Sequence, residues 1–289
     1  MAGHRCDLVD VFASRPLTGN PLGVVHGAEG LSDAQMLAFT RWLGFSETSF
    51  LLSPTDPAAD YHVRIFYPNG ELPFAGHPTL GACHAWLQAG SKPRRDDIII
   101  QQCGAGLIEI RRDNDRLSFK APPLLREGPL GAEATAQAAR LLGIAEDRIL
   151  DAVHADNGPG WVLLRLRSVD DVLAASITHK PDGIADIGLF AACEEGKSST
   201  GSHADFEVRA FFTKADGLLT EDPVTGSLNA ALAQYAFANG LATGRYIACQ
   251  GRAVGKDGIV HCCQDEDGSI WVGGRTDSIS SGMLFPFPG

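Results

Sequence analysis

Three side chains have the type and setting for proton chemistry: Glu47, His77 and Asp222. Glu47 sits in GFSETSFLL (Gly44–Leu52), flanked by Phe45 and Phe50. Apolar neighbours destabilise the charged carboxylate and raise its pKa toward neutrality. A carboxyl tuned that way can both take and return a proton. The competing reading is a surface glutamate at the start of a strand. His77 lies in FAGHPTLGA, where a helix opens. The positive end of the helix dipole opposes further positive charge, which favours the neutral ring. A neutral imidazole there can donate a hydrogen bond to a substrate oxygen; equally, it can cap or pack the turn. Asp222 precedes Pro223, and Asp is a favoured N-cap, so capping and substrate contact are both open. Gly226 permits close backbone approach and Ser227 offers a hydroxyl.

Other chemistries fit less well. There is no GxxxxGK[ST] phosphate loop, and no GxGxxG opens a helix to hold a dinucleotide. The GxSxG elbow of a serine hydrolase is missing. A metal could draw on His77, Cys83 and His84, but the last two lie well along the helix and on different faces. The expectation is no metal and no cofactor.

The elements that must position these residues are legible. The stretch Phe66–Leu87 runs from apolar residues through a Gly- and Pro-rich turn into a helical run that opens near Pro78 and closes at Gly90. Gly76 and His77 therefore belong at a helix N-terminus, a ready site for a carboxylate. A gapless shift of 145 residues lays Arg64 on Arg209, Phe66 on Phe211, Pro78 on Pro223, Gly81 on Gly226 and His77 on Asp222. That shift is about half the chain, so the architecture reads as a duplication in which two helix N-termini can point into one cleft.

Along the chain, strands are expected at Asp7–Phe12 and Leu22–His26, with a turn at Thr18–Pro21 between them. A helix starts at Ser32 and stops at Gly44. A meander over Ile98–Lys120 precedes the domain boundary, giving domains 1–121 and 122–289 whose last few residues could pack back on the first. Beyond Val272 no clear signal remains; Trp42 and Trp86 read as core, and Cys193–Ala204 as a mobile loop. Strands with single long helices suit an α+β fold built twice.

At 289 residues, 44% of them hydrophobic, the chain can build two cores. A net charge of -11 with no basic face argues against nucleic acid. Seven cysteines without CxxC spacing, no signal-peptide pattern and no apolar run of membrane-spanning length point to a cytoplasmic protein.

The motifs DVFASRPLTGNPLGVV, GFSETSFLL, PNGELPFAGHPTLGA and EDPVTGSLNAAL together closely resemble the PhzF-like phenazine-biosynthesis family, over nearly the whole chain. The resemblance implies the diaminopimelate epimerase fold: two similar α+β domains, each a barrel-like, mostly antiparallel sheet around a central helix, with the active site between them. It implies an isomerase without cofactor or metal. The family's phenazine enzyme moves a proton within trans-2,3-dihydro-3-hydroxyanthranilate using the glutamate of its SET motif, here Glu47. The GHP histidine matches His77, and the aspartate and serine of DPxTGS match Asp222 and Ser227. Ser46, Gly76, Gly226 and Ser227 complete the substrate-binding set, and a small carboxylated metabolite is the expected ligand. A homodimer is expected as well. Related racemases of this fold use two cleft cysteines, which AGHP and EDPVTGS both lack, so a two-thiol racemase does not fit. An epimerase running on Glu47 and another acid–base residue, or a non-catalytic binding protein, are the alternatives. Lys256 stands where an arginine often follows the glycine.

Overall fold

The computed structural model describes residues 3–113, 115–194, 204–214 and 216–284. Most of the loop expected at Cys193–Ala204 lies outside the described residues. The chain divides into two compact units: one holds Met1–Lys120 and returns to include the chain from Gly273 onward, and the other is Ala121–Val272. The sequence places the boundary at 121/122 with only the last few residues packing back on the first domain; here the return to the first unit begins at Gly273.

The first unit contains β1 (Arg5–Val11), β2 (Asn20–Val25), α1 (Asp33–Leu43), β3 (Thr48–Leu52), β4 (Tyr61–Tyr67), β5 (Gly70–Leu72), α2 (Gly76–Gln88), β6 (Ile98–Cys103), β7 (Gly106–Asp113) and β8 (Arg116–Lys120). The second contains β9 (Arg126–Pro129), α3 (Ala132–Leu141), β10 (Ile149–Asp156), β11 (Val162–Leu166), α4 (Val169–Ala174), β12 (Ile187–Ala192), β13 (Phe206–Thr213), β14 (Leu219–Asp222), α5 (Gly226–Ala238), β15 (Arg245–Gln250) and β16 (Gly258–Gln264). A final strand, β17 (Ile270–Met283), begins there and ends paired with β1 in the first unit. Its second half is rich in Ser and Gly, residues with no strand pattern, so the sequence hid it; pairing with β1 imposes the conformation.

Pairing in the first unit closes on itself. The ring runs β1, β2, β3, β4, β6, β7, β8, β17 and back to β1, an eight-stranded barrel. The steps β2–β3 and β4–β6 are parallel and the other registered steps antiparallel. The helix α2 reads GHPTLGACHAWLQ, apolar almost all round, and most of it is buried. Gly81 allows it to lie close: a Cβ there would come 2.4 Å from Leu22 and 3.1 Å from Val11. The second unit repeats the order, with β9 to β13 in succession, then β15 and β16, and the apolar α5 as its buried helix. The fold is α+β and epimerase-like.

A repeated ion pair marks the duplication. Arg64 on β4 grips Glu71 on β5 through Nε at 2.8 Å, and lies over the Phe66 ring. Arg209 on β13 grips Glu221 on β14 at 3.0 and 2.7 Å, and lies over Phe211. These pairs correct the repeat register. The strands keep the expected offset, but Phe66 pairs with Glu71 where Phe211 pairs with Glu221, so the second hairpin is five residues longer. From there the repeat runs at 150 residues: α2 starts at Gly76 and α5 at Gly226, each 13 residues long. His77 therefore corresponds to Ser227, not to Asp222, and Pro223 lies before its helix rather than inside it. Trp42, expected in the core, is 78% exposed and stacks on Phe39.

Candidate active site

Gly76 and His77 are the first two residues of α2, after Ala75 as N-cap. No side chain caps this end, and Pro78 has no N–H, so the Gly76 and His77 N–H groups are the donors at its mouth. Two hydrogen bonds fix the turn. Gln101 Nε2 on β6 donates to Thr79 Oγ1 at 2.9 Å, while Ser49 Oγ on β3 donates to the Pro78 carbonyl at 3.3 Å. The second bond ties the start of β3, and with it the preceding Ser46–Glu47 segment, to the helix opening.

That tie brings Glu47 and His77 together: Glu47 Oε2 lies 3.5 Å from His77 Nε2. The histidine is buried and the Glu47 side chain keeps 18% of its surface exposed, although the Oε2 facing the ring is itself buried. Burial pushes the His77 pKa down to about 3, which leaves the ring neutral at physiological pH. Its other nitrogen, Nδ1, lies 3.4 Å from Asn20 Nδ2 at the start of β2. With that amide oriented to donate to Nδ1, the single ring proton sits on Nε2 and faces Glu47. A carboxylate oxygen so placed faces that ring nitrogen, and the carboxylate form is the one that can remove a proton from carbon. Beside it, Phe12, next to the Val11 partner of Asn20, takes a left-handed φ of 63° although fully buried. Such strain costs about 1–3 kcal/mol and gathers where surrounding structure over-determines a site.

In the second unit Asp222 is the last residue of β14 and is buried. It is not the N-cap of α5; that residue is Thr225, because Pro223–Thr225 intervene between strand and helix. Thr225 Oγ1 donates to Asp222 Oδ2 at 2.6 Å. Gln250 on β15 holds both: its Nε2 donates to Thr225 Oγ1 at 2.9 Å and to the Asp222 carbonyl at 3.1 Å, and its Oε1 accepts from the Thr225 N–H at 3.1 Å. Asn229 Nδ2 donates to the same Oε1 at 2.9 Å. Gly226 and Ser227 open α5, again with no side-chain cap. Ser227 Oγ accepts from Trp161 Nε1 at 3.0 Å, which leaves its own proton to donate. Asp186, just before β12, stands where Glu47 stands before β3; burial, then the neighbouring Asp156 charge, push its pKa up to about 6.

Within the first unit, then, Glu47 meets His77 at the mouth that Gly76 opens, with Ser46 next to Glu47 in the chain, and within the second Asp222, Gly226 and Ser227 share another. The sequence reading missed Asn20, Thr225, Gln250, Trp161 and Asp186. Asn20 was hidden as a turn residue, and Gln250 carried a faint signal as a lone polar residue ending the apolar run YIAC. Among the described residues no cluster of His, Cys, Asp and Glu is placed to hold a metal ion.

The fold is that of epimerase-like isomerases. A solved structure of a predicted epimerase from Pseudomonas aeruginosa is 26% identical, covers 98% of this chain and 99% of its own, and superposes with a TM-score of 0.78. Residues 9–280 match the family model described as phenazine biosynthesis-like protein, and the chain belongs to that PhzF family. Among its relatives, the Schizosaccharomyces pombe protein named antisense-enhancing sequence 1 is 30% identical over 99% of this chain and 100% of its own length. An uncharacterized isomerase from Pasteurella multocida is 30% identical over 96% of this chain and 93% of its own. The trans-2,3-dihydro-3-hydroxyanthranilate isomerase of Pseudomonas fluorescens is 33% identical over 61% of this chain and 62% of its own. The chain is an isomerase.

Proposed function

We propose that the protein catalyses a cofactor-independent proton shift on a small carboxylated substrate, with Glu47 as the group that moves the proton. The observation that carries this reading is the Glu47 Oε2 to His77 Nε2 approach of 3.5 Å, with the ring kept neutral by burial. Glu47 takes a proton from carbon as a carboxylate and returns it at another position of the π-system as the acid. The Nε2–H of His77 stabilises the carboxylate and then donates to substrate oxygen. The uncapped N–H groups of Gly76 and His77, with Ser46, bind polar substituents. Asp222 relays a proton, and Gly226 with the Ser227 hydroxyl contributes to carboxylate binding. The substrate class extends from the fluorescens relative, whose name gives trans-2,3-dihydro-3-hydroxyanthranilate. The working form in this reading is a cytoplasmic homodimer, which sedimentation would check; no helix among the described residues is long and apolar enough to cross a membrane.

The test is turnover of trans-2,3-dihydro-3-hydroxyanthranilate in deuterated buffer, followed by NMR beside Glu47→Gln. Turnover by the native chain and its loss in the variant support the reading. Equal turnover by both removes Glu47 from the chemistry. No turnover by either removes this substrate. A second reading, epimerisation at an α-carbon, is favoured by Asp186, a raised-pKa carboxyl in the position that mirrors Glu47. Solvent deuterium entering an amino-acid α-carbon, sensitive to both carboxyls, would select it.

A further inference from the structure

The second unit holds a buried ion pair beside the α5 mouth that the proton chemistry does not use. Glu207 lies on β13 opposite Cys249 on β15. Their side chains share one face of the sheet, where Cys249 Sγ donates to Glu207 Oε2 at 3.0 Å. Gln250 is the next residue of β15, so its side chain leaves from the other face, where it bonds Asn229 of α5. The chain then turns at Gly251, whose φ is 100°, and Arg252 Nη1 comes back to donate to the same Glu207 oxygen at 3.0 Å. Glu207 thus grips the residue before Gln250 and the second residue after it.

The turn between those grips is built against the segment that carries Asp222 into α5. A Cβ at Gly251 would come 2.5 Å from the Pro223 carbonyl oxygen. The Gly251 carbonyl accepts from the N–H groups of Val254 at 3.0 Å and Lys256 at 2.9 Å, which closes the turn. Gln250 holds Thr225 and the Asp222 carbonyl from the helix face, and Glu207 holds the neighbours of Gln250 from the opposite face.

Stability does not account for this pair. Glu207 is 1% exposed, and its Oε1 has no hydrogen-bond partner among the described residues. A buried ion pair left partly unsatisfied is commonly matched or exceeded in stability by apolar residues of similar volume. Nor does the pair belong to the duplicated scaffold. Two residues before the repeated arginine the first unit has His62, opposite Gln102 of β6, and Gln102 bonds Thr55 instead.

We propose that Glu207 is a positioning residue of the second mouth: by fixing Cys249 and Arg252 it sets Gln250 and the Gly251 turn, and through them Asp222 and Thr225. The assignment rests on the proposed isomerisation, in which Asp222 relays a proton.

The test is the double variant Glu207→Met with Arg252→Met in the full-length chain, which strands no buried charge. Its melting temperature should not fall. By NMR, exchange of the Thr225 N–H, the proton that Gln250 accepts, should quicken about tenfold, the worth of roughly one hydrogen bond. The Thr79 N–H in the first mouth, bonded to the Ala75 carbonyl, should keep its rate. Turnover of trans-2,3-dihydro-3-hydroxyanthranilate should lose about tenfold or more in kcat, with KM held within about twofold. Glu207→Gln alone, which keeps an oxygen for Cys249 and Arg252, should stay near native in both measures. An unchanged Thr225 rate overturns the proposal, as does a faster one with kcat unchanged. A fall in melting temperature with Thr79 quickened alike also overturns it, because the pair is then scaffold. If the native chain turns nothing over, the isomerisation reading falls on that substrate, and the exchange rates alone decide the hold on Thr225.

Discussion

At the mouth of α2 the second helical residue is His77, buried, neutral and held by Asn20 with Glu47 before it; at the mouth of α5 it is Ser227, held by Trp161, with Asp222 bonded to the N-cap threonine. Both mouths share a buried helix of 13 residues, no side-chain cap, and a glutamine from a neighbouring strand bonded to a threonine, Thr79 in the first turn of α2 and the N-cap Thr225 of α5. What differs is the placement of the titratable side chains. In the first unit a partly open carboxylate faces a ring nitrogen. In the second, Asp222 is buried and committed to Thr225, and the raised carboxyl Asp186 takes the mirror position of Glu47. Duplication supplied two equivalent mouths, and side-chain replacement left a carboxylate–imidazole pair at one and a hydroxyl beside a carboxyl bonded to the N-cap at the other.

The strongest way to break this comparison is to remove the two mirrored carboxyls in turn. Glu47→Gln should lower the rate of deuterium exchange by about 10²–10⁴-fold, the range of a general acid–base group. Asp186→Asn should cost less than about tenfold by the same measure. Stability should respond to Asp186 in the opposite sense. Its folded pKa, about 6, lies above the ordinary 3.8, so its stabilising contribution is present below 3.8 and lost as pH rises through 6. Melting of Asp186→Asn should therefore exceed that of the native chain at pH 8 and match it near pH 3.5. Equal kinetic losses in the two variants would mean that the halves share the chemistry.

The repeated ion pair offers a second contrast. Arg209 and Glu221 are 6% and 8% exposed, and Arg209 Nη1 also donates to the carbonyls of Val172 and Ala175. Arg64 and Glu71 are 21% and 39% exposed. Arg209→Met strands a buried carboxylate and should cost about 3–5 kcal/mol in denaturant unfolding. Arg64→Met should cost about 1 kcal/mol or less. Similar losses would show that the pair anchors both hairpins alike.

His77 allows a smaller, pH-dependent test. Its folded pKa of about 3 lies below the ordinary 6.5, so its contribution is full above pH 6.5 and is lost as pH falls toward 3. Native unfolding free energy should drop across that window more steeply than that of His77→Asn. Asn20→Ala, which removes the group holding Nδ1, should lower kcat about tenfold, because the proton is no longer held on Nε2.

Much of this was legible in the sequence because it rests on local signals. Pro78 and Gly90 mark α2, and GHP and SET mark the first mouth. The duplication showed in Arg64 and Arg209, whose strands share one offset. Its continuation failed at the longer β13–β14 hairpin, since a gapless comparison cannot register five added residues and so aligned two prolines with different roles. The second half of strand β17 escaped because Ser and Gly carry no periodicity, and the partner β1 supplies what propensity does not. Asn20, Gln250 and Trp161 escaped for another reason. A residue's bond to a helix mouth far along the chain leaves no mark on its own neighbours.

Trp161 gives the finest comparison. Its Nε1–H bond at 3.0 Å orients Ser227 Oγ as Asn20 orients the His77 ring, but the oriented groups differ. In the proposed reaction a serine hydroxyl at this position would bind the substrate in ground state and transition state alike, whereas a histidine proton aimed at Glu47 would matter most as charge moves. Trp161→Phe removes one neutral hydrogen bond and keeps the apolar bulk, a change of about 0.5–1.5 kcal/mol. The expected outcome is a rise in KM of about two- to tenfold with kcat held. Steady-state kinetics on the same substrate would decide it. If kcat falls and KM stays, Ser227 takes part in proton transfer rather than in binding alone.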